Sequence, residues 1–214
     1  MKEFLRNIRE FINKNNFSPS LLKEKLEKYN LEGFEQELEK NLKLKNFLLK
    51  PFKDLPDNYK YLFNSADRKN FENYNLLQVM ESTILFSTDF EMFISRDGEE
   101  RPLGWLAYLS ANGMISNIKM FAFNNSKAEN ITFMKDVKKR FLELCEKNNH
   151  IEWTADINNP FTKHYIRAIL LYRGRIFKEP EDNLRFIIRK NDPCIDYSYL
   201  ENIFDPELLR RVKI

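Results

Sequence analysis

Glycine is scarce in this chain. The five among 214 residues are Gly33, Gly98, Gly104, Gly113 and Gly174, and no two stand close enough to build GxGxxG, a P-loop or a GxSxG elbow. Dinucleotide, nucleoside-triphosphate and serine-hydrolase sites built on those loops are thereby excluded. Cys145 and Cys194 are the only cysteines, and His150 and His164 the only histidines. That is too few for a disulfide framework or a finger-type zinc cluster, so no metal is expected. No uncharged apolar run of about 18 residues exists to cross a bilayer. The opening MKEFLRNIREFINK interleaves charges with apolar residues, unlike a secretion signal, and the chain reads as cytoplasmic. A dominant charge is missing as well: 35 Lys+Arg stand against 32 Asp+Glu, a net +3. Residues 1–75, with 15 basic and 12 acidic side chains, carry that whole excess. There Glu24, Glu27, Glu35, Glu37 and Glu39 interrupt every basic run, which speaks against a nucleic-acid stripe.

What is present is an ordinary globular composition, 43% hydrophobic and 31% charged, long enough to bury a full core. Residues 1–75 read as helices separated by polar turns. Phe4, Leu5, Ile8, Phe11 and Ile12 recur at helical spacing, and a second helix from about Ser20 carries Leu21, Leu22 and Leu26. A third runs from Leu31 to about Leu49, with Phe34, Leu38, Leu42 and Phe47 on one face, until Pro51 and Pro56 end it. Short helical pieces follow around Tyr59–Phe63 and Phe71–Met80.

Near residue 83 the period falls towards two. Phe90-Met92-Ile94 alternates before the Asp97-Gly98 turn, Leu103–Leu109 is a second strand, and Asn112-Gly113 turns into a third over Met114–Phe123. Ser126-Lys-Ala-Glu129 fits a capping box opening a helix that packs Met134, Val137, Phe141 and Leu144. Ile151–Ala155 is a short buried strand, Pro160–Arg173 a helix, and Arg175–Lys178 with Arg185–Arg189 a hairpin around Pro180–Asn183. Asp205-Pro206 caps a last short helix in the tail, residues 191–214. The order is that of an α+β fold: a mixed, mostly antiparallel sheet flanked by helices, with a helical N-terminal extension (1–75), a sheet domain (76–190) and the tail.

From about Phe90 to Arg189 the chain resembles the GNAT superfamily of N-acetyltransferases. The most specific part is Ala168-Ile-Leu-Leu-Tyr172-Arg-Gly-Arg-Ile-Phe177, where Ala168, Leu171-Tyr172 and Phe177 keep the family's offsets while Ile176 stands where glycine is usual. Leu103-Gly104-Trp105-Leu106-Ala107-Tyr108 resembles the start of the family's third strand. The resemblance implies an acyl-CoA, acetyl-CoA first, as cosubstrate, with its pantetheine arm hydrogen-bonded as an added strand and backbone around Met120, Phe121 and Ala122 polarising the thioester carbonyl. The family's pyrophosphate loop falls on Lys127–Met134, which has no glycine. In the most favourable register Lys127 takes the basic position, Asn130 the first glycine and Thr132 the second, with Asn130 left-handed.

Tyr172 is the implied general acid for the leaving thiolate; its structural alternative is an aromatic packed at a helix end. Ser126 and Glu129 read as a cap. His150 and His164 read as solvated surface, with a base as the other reading. Asp156 either orients an amine or caps the Asn158-Asn159-Pro160 turn, and Asn117 and Lys119 either face the cofactor or form a strand's polar face. The leading expectation is an N-acyltransferase acting on a small-molecule or protein amine. The alternative is a non-catalytic module of the same fold whose residues 1–75 bind a protein partner.

Overall fold

In the computed structural model the described residues are 6, 9–10, 24–25, 27–29, 31–95, 101–123, 126–193 and 195–212. The apolar positions of the first two expected helices, Phe4, Leu5, Ile8, Phe11, Ile12, Leu21, Leu22 and Leu26, and the Asp97-Gly98 turn lie outside them. The helices are α1 (Leu31–Lys40), α2 (Leu42–Leu48), α3 (Asp57–Lys60), α4 (Ser65–Phe71), α5 (Leu76–Phe86), α6 (Lys127–Lys147), α7 (Thr162–Leu171) and α8 (Pro206–Val212). The strands are β1 (Asp89–Ile94), β2 (Pro102–Ala111), β3 (Met114–Ala122), β4 (His150–Asp156), β5 (Arg175–Glu179) and β6 (Asn183–Arg189). They form one six-stranded sheet in the order β1-β2-β3-β4-β6-β5. The fold is α+β, with a mixed, mostly antiparallel sheet and helices flanking it.

Local chemistry accounts for most element ends. The helix expected over Leu31–Leu49 is two helices, because the Asn41 side chain accepts the Leu44 N–H at 3.0 Å and starts α2 afresh. The piece expected at Phe71–Met80 is likewise split. Asn75 and Gln78 exchange hydrogen bonds in a capping box that opens α5, and this helix runs on to Phe86, past the expected change of period. Asn112 and Gly113, with φ of 51° and 76°, give the two-residue turn that joins β2 to β3. Between β5 and β6 the same role falls to Glu181 and Asp182, at φ 59° and 58°, where glycine or asparagine is the relaxed choice.

The chain divides into two compact units. The first comprises Met1–Leu55, Phe71–Ala107 and Met120–Val137. At its centre Trp105 stacks on Phe90 and Phe121 with ring centroids 5.8 and 5.9 Å away, and Phe93 meets Phe133 edge-on. Gly104 is required there, since a Cβ would stand 2.3 Å from the Phe121 carbonyl oxygen and 2.6 Å from the Phe133 ring. Helical residues 24–25 and 27–28 are tied to the end of α5 by Lys25, whose ammonium donates to the Ser87 carbonyl, and by the neighbouring Tyr29 hydroxyl, which donates to the Thr88 carbonyl at 2.6 Å. Burial, the largest effect on it, holds the Lys25 pKa below its ordinary value.

The second unit comprises Pro56–Asn70, Tyr108–Lys119 and Lys138–Ile214. Its centre is Trp153 of β4, stacked on Phe186 of β6 at 4.9 Å and met edge-on by Phe141 of α6 and Tyr165 of α7. Period-two alternation thus turns Ile151, Trp153 and Ala155 to the helices and leaves His150, Glu152 and Thr154 on the opposite face.

Two glycine-related substitutions are expected to move stability in opposite directions. Gly104→Ala overpacks a backbone contact and is expected to cost about 2–3 kcal/mol. Asp182→Gly relieves a left-handed turn residue and is expected to gain about 0.5–1 kcal/mol. Denaturant midpoints of the two variants against the parent check both signs.

Candidate active site

β4 is bound unequally on its two edges. Antiparallel to β6 it pairs along its whole length, from His150↔Arg189 to Asp156↔Asn183. Parallel to β3 it pairs only through Met114↔His150 and Ile115↔Ile151. Two residues further along β3, Asn117 has φ 51°, a left-handed, bulge-like position inside the strand that asparagine tolerates better than most residues. Beyond Ile151, the backbone groups of β4 that alternate away from β6 have no strand pairing with β3. Such an edge is a template for an extended, hydrogen-bonding ligand.

The polar face of β4 is held by residues 64–68. Asn64 donates through its amide to the Thr154 hydroxyl at 3.0 Å and accepts the Asp67 N–H at 2.9 Å. Asp67 reaches β3, where its carboxylate accepts from the Lys119 ammonium at 2.7 Å. Ser65 and Asn183 exchange two hydrogen bonds, at 3.1 and 2.7 Å. Arg68 forms an ion pair with Asp156 at 2.5 Å, where the carboxylate is 1% exposed and the guanidinium 24%. The first turn of α4 therefore spans the point where β3 and β4 part.

Asp156 is consequently a structural carboxylate. One oxygen pairs with Arg68 and the other accepts the Asn158 N–H at 2.7 Å, the turn-capping role. Lys119 belongs to the polar face and is paired. His150 is wired rather than poised: Nε2 lies 3.2 Å from Glu152, Nδ1 accepts from Arg189 Nε at 3.2 Å, and Glu152 in turn pairs with Arg185 at 2.8 Å. His164 sits exposed on the first turn of α7, where burial and then Lys163, Arg167 and Lys138 hold its pKa below the ordinary value.

Tyr172 caps the C-terminus of α7, its N–H on the Ala168 carbonyl at 3.0 Å. Arg173 follows in the left-handed region at φ 53°, and the Gly174 N–H returns to the Ile169 carbonyl at 2.8 Å, closing the helix. Gly174 makes the close approach here, since a Cβ would stand 2.5 Å from the Ile187 carbonyl; Ile176, where the family has glycine, is a buried residue of β5. Tyr172 opens on a cavity of about 480 Å³ whose walls include Cys145, Glu146, Ile188 and Arg189. Ile188 and Arg189 are the β6 partners of Ile151 and His150, the two residues at which β4 leaves β3. Burial, then Cys145 and Glu146, raise the Tyr172 pKa above its ordinary value, so the hydroxyl is protonated at neutral pH. Cys145, pushed up to about 12 by burial and Glu146, is an inert thiol.

The stretch matched to the pyrophosphate loop is helix. The Ser126 N–H donates to the Glu129 carboxylate at 2.6 Å and the Glu129 N–H to the Ser126 hydroxyl at 3.3 Å, the expected capping box. Asn130 is not left-handed, as the glycine position would require: its N–H bonds the Ser126 carbonyl at 3.0 Å inside α6. The Thr132 hydroxyl donates to the Ala128 carbonyl of its own helix at 3.2 Å, and Lys127 is exposed beside it. Glu129, paired with Arg101 at 2.9 Å, puts a carboxylate where phosphate would be drawn. Met120 and Phe121 are buried, which leaves backbone, and not side chain, as their means of meeting a ligand. Among the described residues no group of three His, Cys, Asp or Glu is placed to hold a metal, and no helix is long and apolar enough to cross a membrane.

Asn64, Asp67 and Arg68 carry no local signature; they act through partners 90, 52 and 88 positions away and are invisible to spacing. Arg68→Ala strands the Asp156 charge in the interior and is expected to cost about 3–5 kcal/mol, a melting point lower by at least about 6 °C. Asp156→Asn keeps the turn and leaves Arg68 partly solvated, so its expected loss is smaller. Thermal melts of the two variants check the order.

No family model matches the chain, and no curated protein is significantly similar to it. Among solved structures it is similar to a probable GNAT-family acetyltransferase from Chromobacterium violaceum, at 15% identity over 66% of this chain and 79% of that one, with a TM-score of 0.41. A GCN5-related N-acetyltransferase from Brucella melitensis aligns at 17% identity over 69% and 72%, with a TM-score of 0.40. The Campylobacter jejuni N-acetyltransferase PseH, in complex with acetyl coenzyme A, aligns at 14% over 67% and 98%, with a TM-score of 0.33.

Proposed function

We propose that this chain is a divergent GNAT-like N-acyltransferase that moves an acyl group, acetyl being the first candidate, from CoA to the amine of a small molecule or protein. The observation that carries the reading is the edge of β4, paired with β3 for two residues and then, among the described residues, left without a strand partner on that side from Glu152 onward. An acyl-pantetheine arm is an extended chain with amide donors and acceptors, and it fits that edge as an added strand. In the reaction a neutral amine attacks the thioester carbonyl. The C–N bond forms, the C–S bond breaks, and the thiolate takes a proton from Tyr172, whose raised pKa keeps it a donor; the proton shed by the acylated nitrogen goes to solvent, which returns one to the tyrosinate.

One observation favours the non-catalytic alternative, in which residues 1–75 bind a protein partner. Glu129 fills the first turn of α6, so the pyrophosphate has no glycine-rich nest there. The two readings part on ligand binding. Acetyl-CoA at about 100 times its dissociation constant is expected to stabilise the fold by about 2.7 kcal/mol in a thermal-shift titration. Silence with acetyl-CoA, longer acyl-CoAs and free CoA supports the module instead. Where turnover is found, Tyr172→Phe is expected to lower kcat at least roughly tenfold with melting point and acyl-CoA affinity nearly unchanged. Equal turnover removes Tyr172 from the mechanism.

A further inference from the structure

β5 is an edge strand of the sheet, bonded to β6 on one side only. Its other side is met by the C-terminal segment, residues 195–212. The Tyr199 hydroxyl accepts the outward Ile176 N–H at 3.0 Å, and the Tyr197 hydroxyl donates to the Gly174 carbonyl at 3.1 Å, just ahead of the strand. Two phenol side chains thus do what a neighbouring strand's backbone would do. The segment is seated by Leu200, Phe204 and Leu209, all buried, and by Arg167 of α7, which donates to the Arg211 carbonyl at 2.9 Å.

The cover is partial. Because Ile176 points its N–H outward, the alternation of the strand points the N–H and carbonyl of Lys178 outward too, and among the described residues neither meets a partner. Phe177 between them is 43% exposed. The sequence of β5, Arg175-Ile-Phe-Lys-Glu179, is complementary to itself about Phe177. In an antiparallel pair centred there, Ile176 faces Lys178 of the other copy and exchanges both backbone hydrogen bonds with it. Arg175 faces Glu179 at each end, and the two Phe177 rings face one another.

We propose that residues 195–212 are a removable strap over β5, and that β5, once uncovered, pairs antiparallel with β5 of a second copy of this chain. The inference does not depend on the acyltransferase reading. The strap and the lysine on the strand are what hold the free edge in check.

The test uses the full chain. Leu200→Ala with Phe204→Ala removes the strap's anchors, and sedimentation of this variant is expected to show a species of twice the 25.8 kDa chain mass, rising with concentration. Adding Lys178→Pro, which deletes the outward N–H of the strand, is expected to return it to one chain. A folded double variant that stays a single chain, or a dimer that survives Lys178→Pro, overturns the proposed partner. Tyr199→Phe keeps both anchors and reads the strap directly. Hydrogen exchange at the Ile176 amide is expected to quicken roughly tenfold on loss of that bond, and an unchanged rate overturns the strap. Should the double variant not fold, Tyr199→Phe carries the sedimentation as well. A mass that rises with concentration and is cancelled by Lys178→Pro supports the pairing, and a mass fixed at one chain refutes it.

Discussion

The second unit depends on the unequal bonding of β4. Seven residue pairs with β6 fix the strand's position and twist, and this full ladder stabilises it well enough to leave most of its other edge without a strand. Alternation then does the rest. The apolar face offers Trp153 to α6 and α7, and the polar face offers Thr154 to the start of α4. A strand so held is rigid at the place where a ligand's backbone-like amides need fixed partners, which is the preorganisation that binding an extended chain requires.

Within each unit electrostatics is mostly spent on structure. Asp156, Asp67, Glu152 and Glu129 each face a cation: Arg68, Lys119, Arg185 and Arg101. Each of these carboxylates is taken up by its ion pair and holds one element to another. Tyr172 is held differently, since burial raises its pKa and keeps its hydroxyl protonated at neutral pH.

Helix ends show how one short motif can exclude another. A glycine-rich turn offers its N–H groups to a phosphate; a Ser-x-x-Glu turn satisfies them internally and adds a negative charge. With Asn130 and Thr132 bonded within α6, the stretch Lys127–Met134 has the stability of a capped helix and loses the geometry of a nest.

Much of the fold was legible because its causes are local. Asn112-Gly113, Ser126 with Glu129, and Asp205-Pro206 each fix a turn or a cap from neighbouring atoms, and each stands where its spacing put it. Period alone marked β4 and α7. It misread the run from Leu31 to Leu49, where the Asn41 side chain outbid the apolar stripe, and it had no means of seeing Asn117 as a left-handed position within β3. The candidate site was half legible: Tyr172 was marked by the family resemblance of Ala168–Phe177, and Asp156 by its turn. The sequence by itself determined the order of helices and strands, the turn residues and the apolar faces, since these follow from interactions within a few positions. Only the tertiary structure decided that Asp156 belongs to Arg68, that Lys119 belongs to Asp67, and that tyrosines of the tail cover β5. Pairings across 88, 52 and 23 positions are set by where whole elements dock, and no local pattern carries that information.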